Sequence, residues 1–239
     1  MLWLLTLVTT GVLLLIAGFV KEISKVPTVA RPAALIATAH TARHAAASPS
    51  ARKPSPAASS KVRKVTDASS GLSYQLLSSP WRRSCPGILD NPIFSWTAGE
   101  HAVAGQANIG GTVINWHGNA CSGRLGQQFA YSGPADLELV TIGVADAVGP
   151  AYYSGLVHDS TIDSSSSILV SGHQAWLVTF LVTYPDAESE GLAWTSEAGA
   201  VVVVDRGAGQ APAVFYASVP NNLGTSDVAT LVSSLQLNT

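Results

Sequence analysis

The first twenty residues, MLWLLTLVTTGVLLLIAGFV, contain no charged side chain. A helix of this length rises about 30 Å, which is the thickness of the hydrocarbon core of a bilayer. A cleaved signal peptide would begin with basic residues and end at a small-x-small site, and the junction Phe19-Val20-Lys21 lacks that site. We therefore predict an uncleaved transmembrane helix or signal anchor over residues 1–20, with a cleaved signal peptide as the alternative.

Charge divides the rest of the chain near residue 66. Up to Thr66 there are nine Lys/Arg and one acid, a net charge of +8, whereas from Asp67 onward there are four Arg, no Lys and fourteen acids, a net charge of −10. Residues 21–66 are rich in Ala, Pro and Ser and are predicted to form a disordered basic linker. We expect the linker to contact anionic lipid or an envelope polymer, and the acidic domain argues against nucleic acid as a partner.

Residues 67–239 are long enough for a single globular domain. Val201–Val204 is β-branched throughout and predicts a central strand covered on both faces, and the Gly207/Gly209 link that follows predicts a hairpin. Strands joined by hairpins, with helices packed on them, indicate an α+β fold with a largely antiparallel sheet flanked by helices. The apolar pattern predicts a strand in 71–81, short strands in 96–107 and 112–123, a helix over 134–148, a serine-rich loop at 164–167, strands over 173–185, 198–207 and 211–220, and a closing helix over 225–237.

Four stretches of this domain resemble the PsbP-like α/β/α sandwich superfamily. They are GLSYQLLSSPW (71–81), VSGHQAWLVTFLVTY (170–184), the AVVVVDRG and APAVFYASVP strands (200–220), and the closing DVATLVSSLQL (227–237). The resemblance implies binding of proteins or envelope partners, and it supplies no catalytic residue set to carry over. Segment 82–130 departs from the pattern, and the Lys-poor, Ala- and Val-rich composition is similar to that of membrane-anchored or secreted actinobacterial members.

Cys85 and Cys121 are the only cysteines, and they stand 36 positions apart. The alternatives are a disulfide, unpaired thiols, a metal site that also uses His101 and His117, or a Cys121 nucleophile beside His117. Structural zinc sites use closely spaced cysteine pairs, so we predict a disulfide between Cys85 and Cys121, worth about 4 kcal/mol in the chain-entropy model. The dipeptide Gly118-Asn119 predicts a hairpin turn that leaves His117 as neither base nor metal ligand.

Tryptophan and arginine cluster in the first part of the domain. Both residue types are common at interface hot spots, so a partner-binding surface is one interpretation, and core packing of the tryptophans near a disulfide is the interpretation that we favour. The residues in question are Trp81, Arg82, Arg83, Trp96 and Trp116. The chain carries none of the common nucleotide-binding, hydrolase or metal-site motifs, so we expect no cofactor, no metal site and no enzymatic activity.

The predicted location rests on conflicting signals. Lys21, Lys25 and Arg31 follow the apolar run, which by the positive-inside rule alone would keep the domain in the cytoplasm. Two lone cysteines, a Lys-free domain and a long Pro/Ser/Ala linker favour the outside of the cell membrane. We predict a membrane-anchored extracytoplasmic binding or scaffold module of the cell envelope with an unknown protein or envelope partner. The alternatives are an extracytoplasmic enzyme with an unrecognised site and a cytoplasm-facing interaction domain.

Overall fold

A computed structural model describes residues 63–84, 91 and 93–238. Residues 1–20, most of the predicted linker and Cys85 lie outside the described residues, so the membrane helix, the disordered linker and the disulfide stay predictions. None of the helices within the described ranges is both long and apolar enough to cross a membrane.

The described residues form ten strands and two α-helices. The two helices are α1 (Leu137–Val148), preceded by a 3₁₀ turn and followed by a π-helical turn, and α2 (Ser226–Ser233). The strands are β1 (Lys64–Thr66), β2 (Leu72–Gln75), β3 (Arg82–Arg83), β4 (Ser95–Ile109), β5 (Thr112–Arg124), β6 (Asp159–Val170), β7 (His173–Thr183), β8 (Ser196–Val204), β9 (Ala213–Pro220) and β10 (Gln236–Leu237).

Seven of these strands form one antiparallel sheet in the order β3-β4-β5-β9-β8-β7-β6. The predicted central strand is confirmed, because Val201–Val204 lies in β8 and is 0% exposed. The predicted hairpin is confirmed as well, since β8 pairs with β9 and both Gly207 and Gly209 have positive φ between them. Long β-branched runs therefore occupy the interior of the sheet, as their shape favours.

The two faces of the large sheet are covered by different layers. One face packs against α1 through Leu137, Val140 and Val144, which lie at the three- and four-residue steps expected of an amphipathic helix. The other face packs against α2 and a small sheet of order β1-β2-β10. The α+β class, with an antiparallel sheet flanked by helices, is thus confirmed.

The domain begins before the predicted boundary at Asp67. Strand β1 pairs with β2, and its central residue Val65 is 1% exposed within the second core cluster. The boundary was predicted from the change in charge at residue 66. Lys64 lies before that change but belongs to β1, a short strand with one buried side chain, so charge does not mark the start of the fold.

Two predicted turns are also wrong. Gly118-Asn119 lies inside β5, and the β4–β5 hairpin turns instead at Gly110-Gly111, whose φ values of 58° and 85° suit glycine. The predicted serine loop at 164–167 is part of β6. The chain turns at Ser171-Gly172, whose φ values are 52° and 84°. This turn folds β7 back onto β6, and the serines pair with β7 as part of an antiparallel ladder.

Candidate functional site

The three predicted interface tryptophans are core residues. Trp81, Trp96 and Trp116 are at most 7% exposed. Each indole N–H has a partner inside the domain, and the acceptors are Asp227 at 3.1 Å, the Tyr152 hydroxyl at 2.7 Å and Glu197 at 2.5 Å, respectively. The three tryptophans are therefore not available to a partner, because each indole is buried in the core instead of facing solvent.

Arg82 and Arg83 remain exposed on β3, at one edge of the large sheet. The Arg83 guanidinium donates a hydrogen bond to the Lys64 carbonyl, which ties β3 to the start of the domain. Arg82 stands directly across from His101 in the β3–β4 register. The partner role of these two arginines stays a prediction.

Cys121 lies in β5 opposite Tyr216 of β9 and is 0% exposed. Its predicted partner, Cys85, is outside the described residues, so the pairing stays a prediction. His117 lies apart from the core on the same strand and is half-buried. Its ring meets that of His101 edge to face, with 5.3 Å between the ring centroids.

A buried carboxylate that the sequence analysis missed lies at the start of β8. Glu197 is 1% exposed and accepts hydrogen bonds from Trp116 Nε1 at 2.5 Å, Tyr184 Oη at 2.6 Å and Ser218 Oγ at 2.5 Å. Burial raises the pKa of Glu197, and the three donors oppose that rise. The alternation of β8 could have found it, because Glu197 shares a face with Val201 and Val203 of the core.

The hydrogen bonds continue from Glu197 into the core. Tyr153 Oη donates to Ser218 Oγ at 2.7 Å and lies 2.9 Å from Tyr216 Oη. Burial raises the pKa of Tyr153 well above its usual range, so its hydroxyl stays a donor at all physiological pH values. This network ties β5, β9 and Tyr184, the residue that follows β7, to β8 and gives the centre of the sheet one fixed arrangement.

A surface cleft of about 380 Å³ lies near this network and is lined by Asp146, His158 and Ser160, among others. These are the residue types of a hydrolytic triad, which requires hydrogen bonds between neighbouring members. In the part of the chain that the structure describes, no hydrogen bond joins the three. The His158 Nδ1 instead lies 2.9 Å from the Leu156 carbonyl oxygen. Burial raises the pKa of Asp146, so its environment disfavours the charged carboxylate that a triad requires.

The opposite edge of the sheet from β3 is formed by β6. Among the described residues this strand pairs only with β7, so one side of its backbone has no strand partner. Residues 159–167 are all exposed, and small hydroxyl side chains hold the strand on β7, with Ser164 Oγ 2.7 Å from Thr179 Oγ1 and Trp176 Nε1 2.7 Å from Ser165 Oγ. An exposed edge strand of twelve residues is a template for pairing with another chain.

An apolar groove adjoins the second half of β6. It encloses about 590 Å³ between that strand, β7 and the start of α1. Leu169, which is 70% exposed, lies at this groove, and Trp176 forms part of its wall. The lining consists of Pro134, Leu137, Ser167, Ile168, Leu169, Gln174, Ala175 and Trp176. A free backbone edge beside an apolar groove is the arrangement that recognises extended peptides.

No protein-family model matches the chain, and no curated protein matches it. Among solved structures, the fold is similar to cyanobacterial PsbP from Synechocystis, determined in solution. The two are 11% identical, the match covers 77% of this chain and 98% of that chain, and the TM-score is 0.44. At this identity and TM-score the likeness assigns neither a family nor a function to the chain.

Proposed function

We propose that the chain is a membrane-anchored extracytoplasmic binding or scaffold module of the cell envelope, and that its domain captures an extended polypeptide at the free edge of β6. The observation that carries this proposal is β6 itself, whose residues 159–167 are exposed and whose backbone is paired on one side only within the described residues. The apolar groove beside Leu169 supplies side-chain contacts that pairing alone does not.

The first half of β6 is an exposed edge that its own sequence protects from pairing with another chain. Asp163 forms a bulge between Ile162 and Ser164, and charges and bulges are devices that prevent edges from aggregating. The stretch from Ser164 to Val170 carries neither a charge nor a bulge and lies next to the groove. The half of the edge that accepts a partner strand is therefore residues 164–170.

The chemistry of the partner follows from this surface. Strand β6 contains two acids, Asp159 and Asp163, and no basic residue, and the residues from Asp67 onward carry a net charge of −10. A neutral or basic segment is therefore favoured over an acidic one. Alternate side chains of an added strand point to the same face, so one apolar residue in the segment would enter the groove near Leu169.

An extracytoplasmic enzyme is the alternative that the cleft at Asp146, His158 and Ser160 favours. Hydrolysis there would require the His158 Nδ1 to leave the Leu156 carbonyl and turn toward Asp146. The binding proposal requires no such rearrangement, because the β6 edge and the groove are already formed.

The compartment is tested by thiol labelling. In an oxidising compartment Cys85 and Cys121 are expected to be bonded, so alkylation of the freshly denatured full chain should modify neither cysteine until a reductant is added. The measurement is the mass of the alkylated chain with and without reduction. Two cysteines alkylated without reductant would place the domain in the cytoplasm and favour the cytoplasm-facing alternative.

Lysine substitutions on β6 test the binding surface. The double substitution Ser166→Lys and Leu169→Lys is expected to lower recovery of the envelope partner about tenfold, because edge lysines block strand addition. The measurement is quantitative co-purification with the full chain from membranes, together with amide hydrogen exchange of residues 164–170 in the recovered complex. Those amides should exchange more slowly in the complex than in the isolated chain.

The matched control places two lysines elsewhere on the domain. Val103 and Val113 are 49% and 61% exposed on the β4–β5 hairpin, far along the sheet order from β6. Val103→Lys with Val113→Lys should leave recovery unchanged. Equal loss in both double variants, or recovery that does not depend on β6, would contradict the proposal.

A further inference from the structure

His101 and His117 form a pair of imidazoles on neighbouring strands. In the β4–β5 register His101 faces Asn119, and His117 faces Val103, so the two rings are diagonal neighbours across the hairpin. The ring centroids are 5.3 Å apart and the ring planes meet at 81°. The two histidines are sixteen positions apart in the sequence and are brought together by the Gly110-Gly111 turn.

The spacing of the two rings permits a shared metal ion, and it also lies within the range of an ordinary edge-to-face contact. An imidazole that binds zinc at about 2.0–2.1 Å has its ring centroid about 3.2 Å from the metal, so two such ligands at the tetrahedral angle have centroids about 5.2 Å apart. The separation of 5.3 Å between His101 and His117 matches this value.

The tautomer of His101 points to the same chemistry. Its Nδ1 lies 2.8 Å from the Ser84 carbonyl oxygen, so Nδ1 carries a proton, and in the neutral form of the ring the lone pair is on Nε2. Metal-bound histidines almost always donate their other ring N–H to a carbonyl or carboxylate in this way.

We propose that His101 and His117 together bind a divalent transition-metal ion such as Zn²⁺, with water completing the coordination. This assignment revises the expectation that His117 is not a ligand, and it is independent of the β6 surface. Arg82 stands across from His101 and disfavours a cation there. Two imidazoles opposed by one guanidinium should therefore bind Zn²⁺ more weakly than a structural zinc site with four protein ligands.

The experiment titrates Zn²⁺ into the full chain in detergent micelles by calorimetry. The chain carries His40→Ala and His44→Ala, because those two linker histidines stand four positions apart and could bind zinc themselves. About one zinc ion per chain is expected to bind, and saturating zinc should raise the Tm, since a ligand that binds only the folded state stabilises it.

Single substitutions then assign the ligands. His101→Ala and His117→Ala should each weaken zinc binding by about tenfold or more and remove the rise in Tm, and His117→Gln should do the same while keeping the size of the side chain. The matched control is His173→Ala, which removes another partly exposed histidine and should leave the Kd within about twofold. Zinc affinity that survives the loss of either ring, or no binding below about 1 mM, would overturn the assignment.

Discussion

Replacing Glu197 with alanine is expected to lower the free energy of unfolding by about 3–5 kcal/mol. The substitution leaves three buried donors without an acceptor, on Trp116, Tyr184 and Ser218, and opens a cavity between β5, β8 and β9. Each unsatisfied buried donor costs about 1–3 kcal/mol, partly offset where the side chain can turn or a water can enter. Chemical denaturation followed by tryptophan fluorescence measures the effect.

Glu197→Gln is the matched control, because it keeps the shape of the side chain. The amide oxygen can still accept from Trp116 and Tyr184, while the amide nitrogen replaces the acceptor of Ser218. Reversing the hydrogen bonds along Ser218, Tyr153 and Tyr216 would satisfy that hydroxyl, so we expect a loss of only about 1–2 kcal/mol. A Glu197→Ala variant within about 1 kcal/mol of the wild type would show that the network does not stabilise the sheet.

Glu100→Gln is expected to make the domain more stable at pH 8 by about 1–2 kcal/mol and to change its stability little at pH 4.5. Glu100 is 0% exposed on β4, and burial raises its pKa to about 7, while the Leu77 N–H, which donates at 3.0 Å, and Arg83 oppose the rise. A carboxyl whose pKa is higher in the folded state binds more protons there. Stability therefore falls as the pH rises from about 4.5 to about 7.

The expected change in the free energy of unfolding is smaller than the value that the pKa shift alone implies. A shift from 4.5 to about 7 corresponds to about 3 kcal/mol, and screening at the exposed β3 edge reduces it. Unfolding measured from pH 4.5 to pH 8 should show a shallower decline in Glu100→Gln than in the wild type. Glu190→Gln, at an exposed acid, should follow the wild type, and a Glu100→Gln profile parallel to the wild type would contradict the assignment.

The regular parts of the fold could be predicted from local patterns. Val201–Val204 and the glycines after it specify a central strand and a hairpin, and the three- and four-residue steps of Leu137, Val140 and Val144 specify α1. These signals succeed because they depend on neighbouring residues. The four serines at 164–167 predicted a loop, but they lie in β6. Their strand conformation depends on the Ser171-Gly172 turn and on pairing with β7 rather than on their own propensity.

The candidate sites depend on contacts that composition does not reveal. The Trp81 indole meets Asp227 across 146 positions, and the Trp116 indole meets Glu197 across 81. Clustering of tryptophans in the sequence is compatible with a surface or a core, and these long-range contacts place the indoles in the core. The sequence offered His101 and His117 as members of one alternative metal site. The short distance between their rings depends on where the β4–β5 hairpin turns, which the sequence pattern did not locate. The Gly118-Asn119 dipeptide favoured a turn that the strand pairing of β5 overrides.

The capture of an extended segment by β6 is tested most directly by photocrosslinking in intact cells. A photoreactive side chain is placed at Ser166 of the full chain, and the same group is placed at Val113 as the control position. We predict a discrete covalent adduct with one envelope protein from Ser166, lost when Leu169→Lys is added, and none from Val113. The absence of an adduct at Ser166, or the same adduct from both positions, would contradict the proposed binding edge.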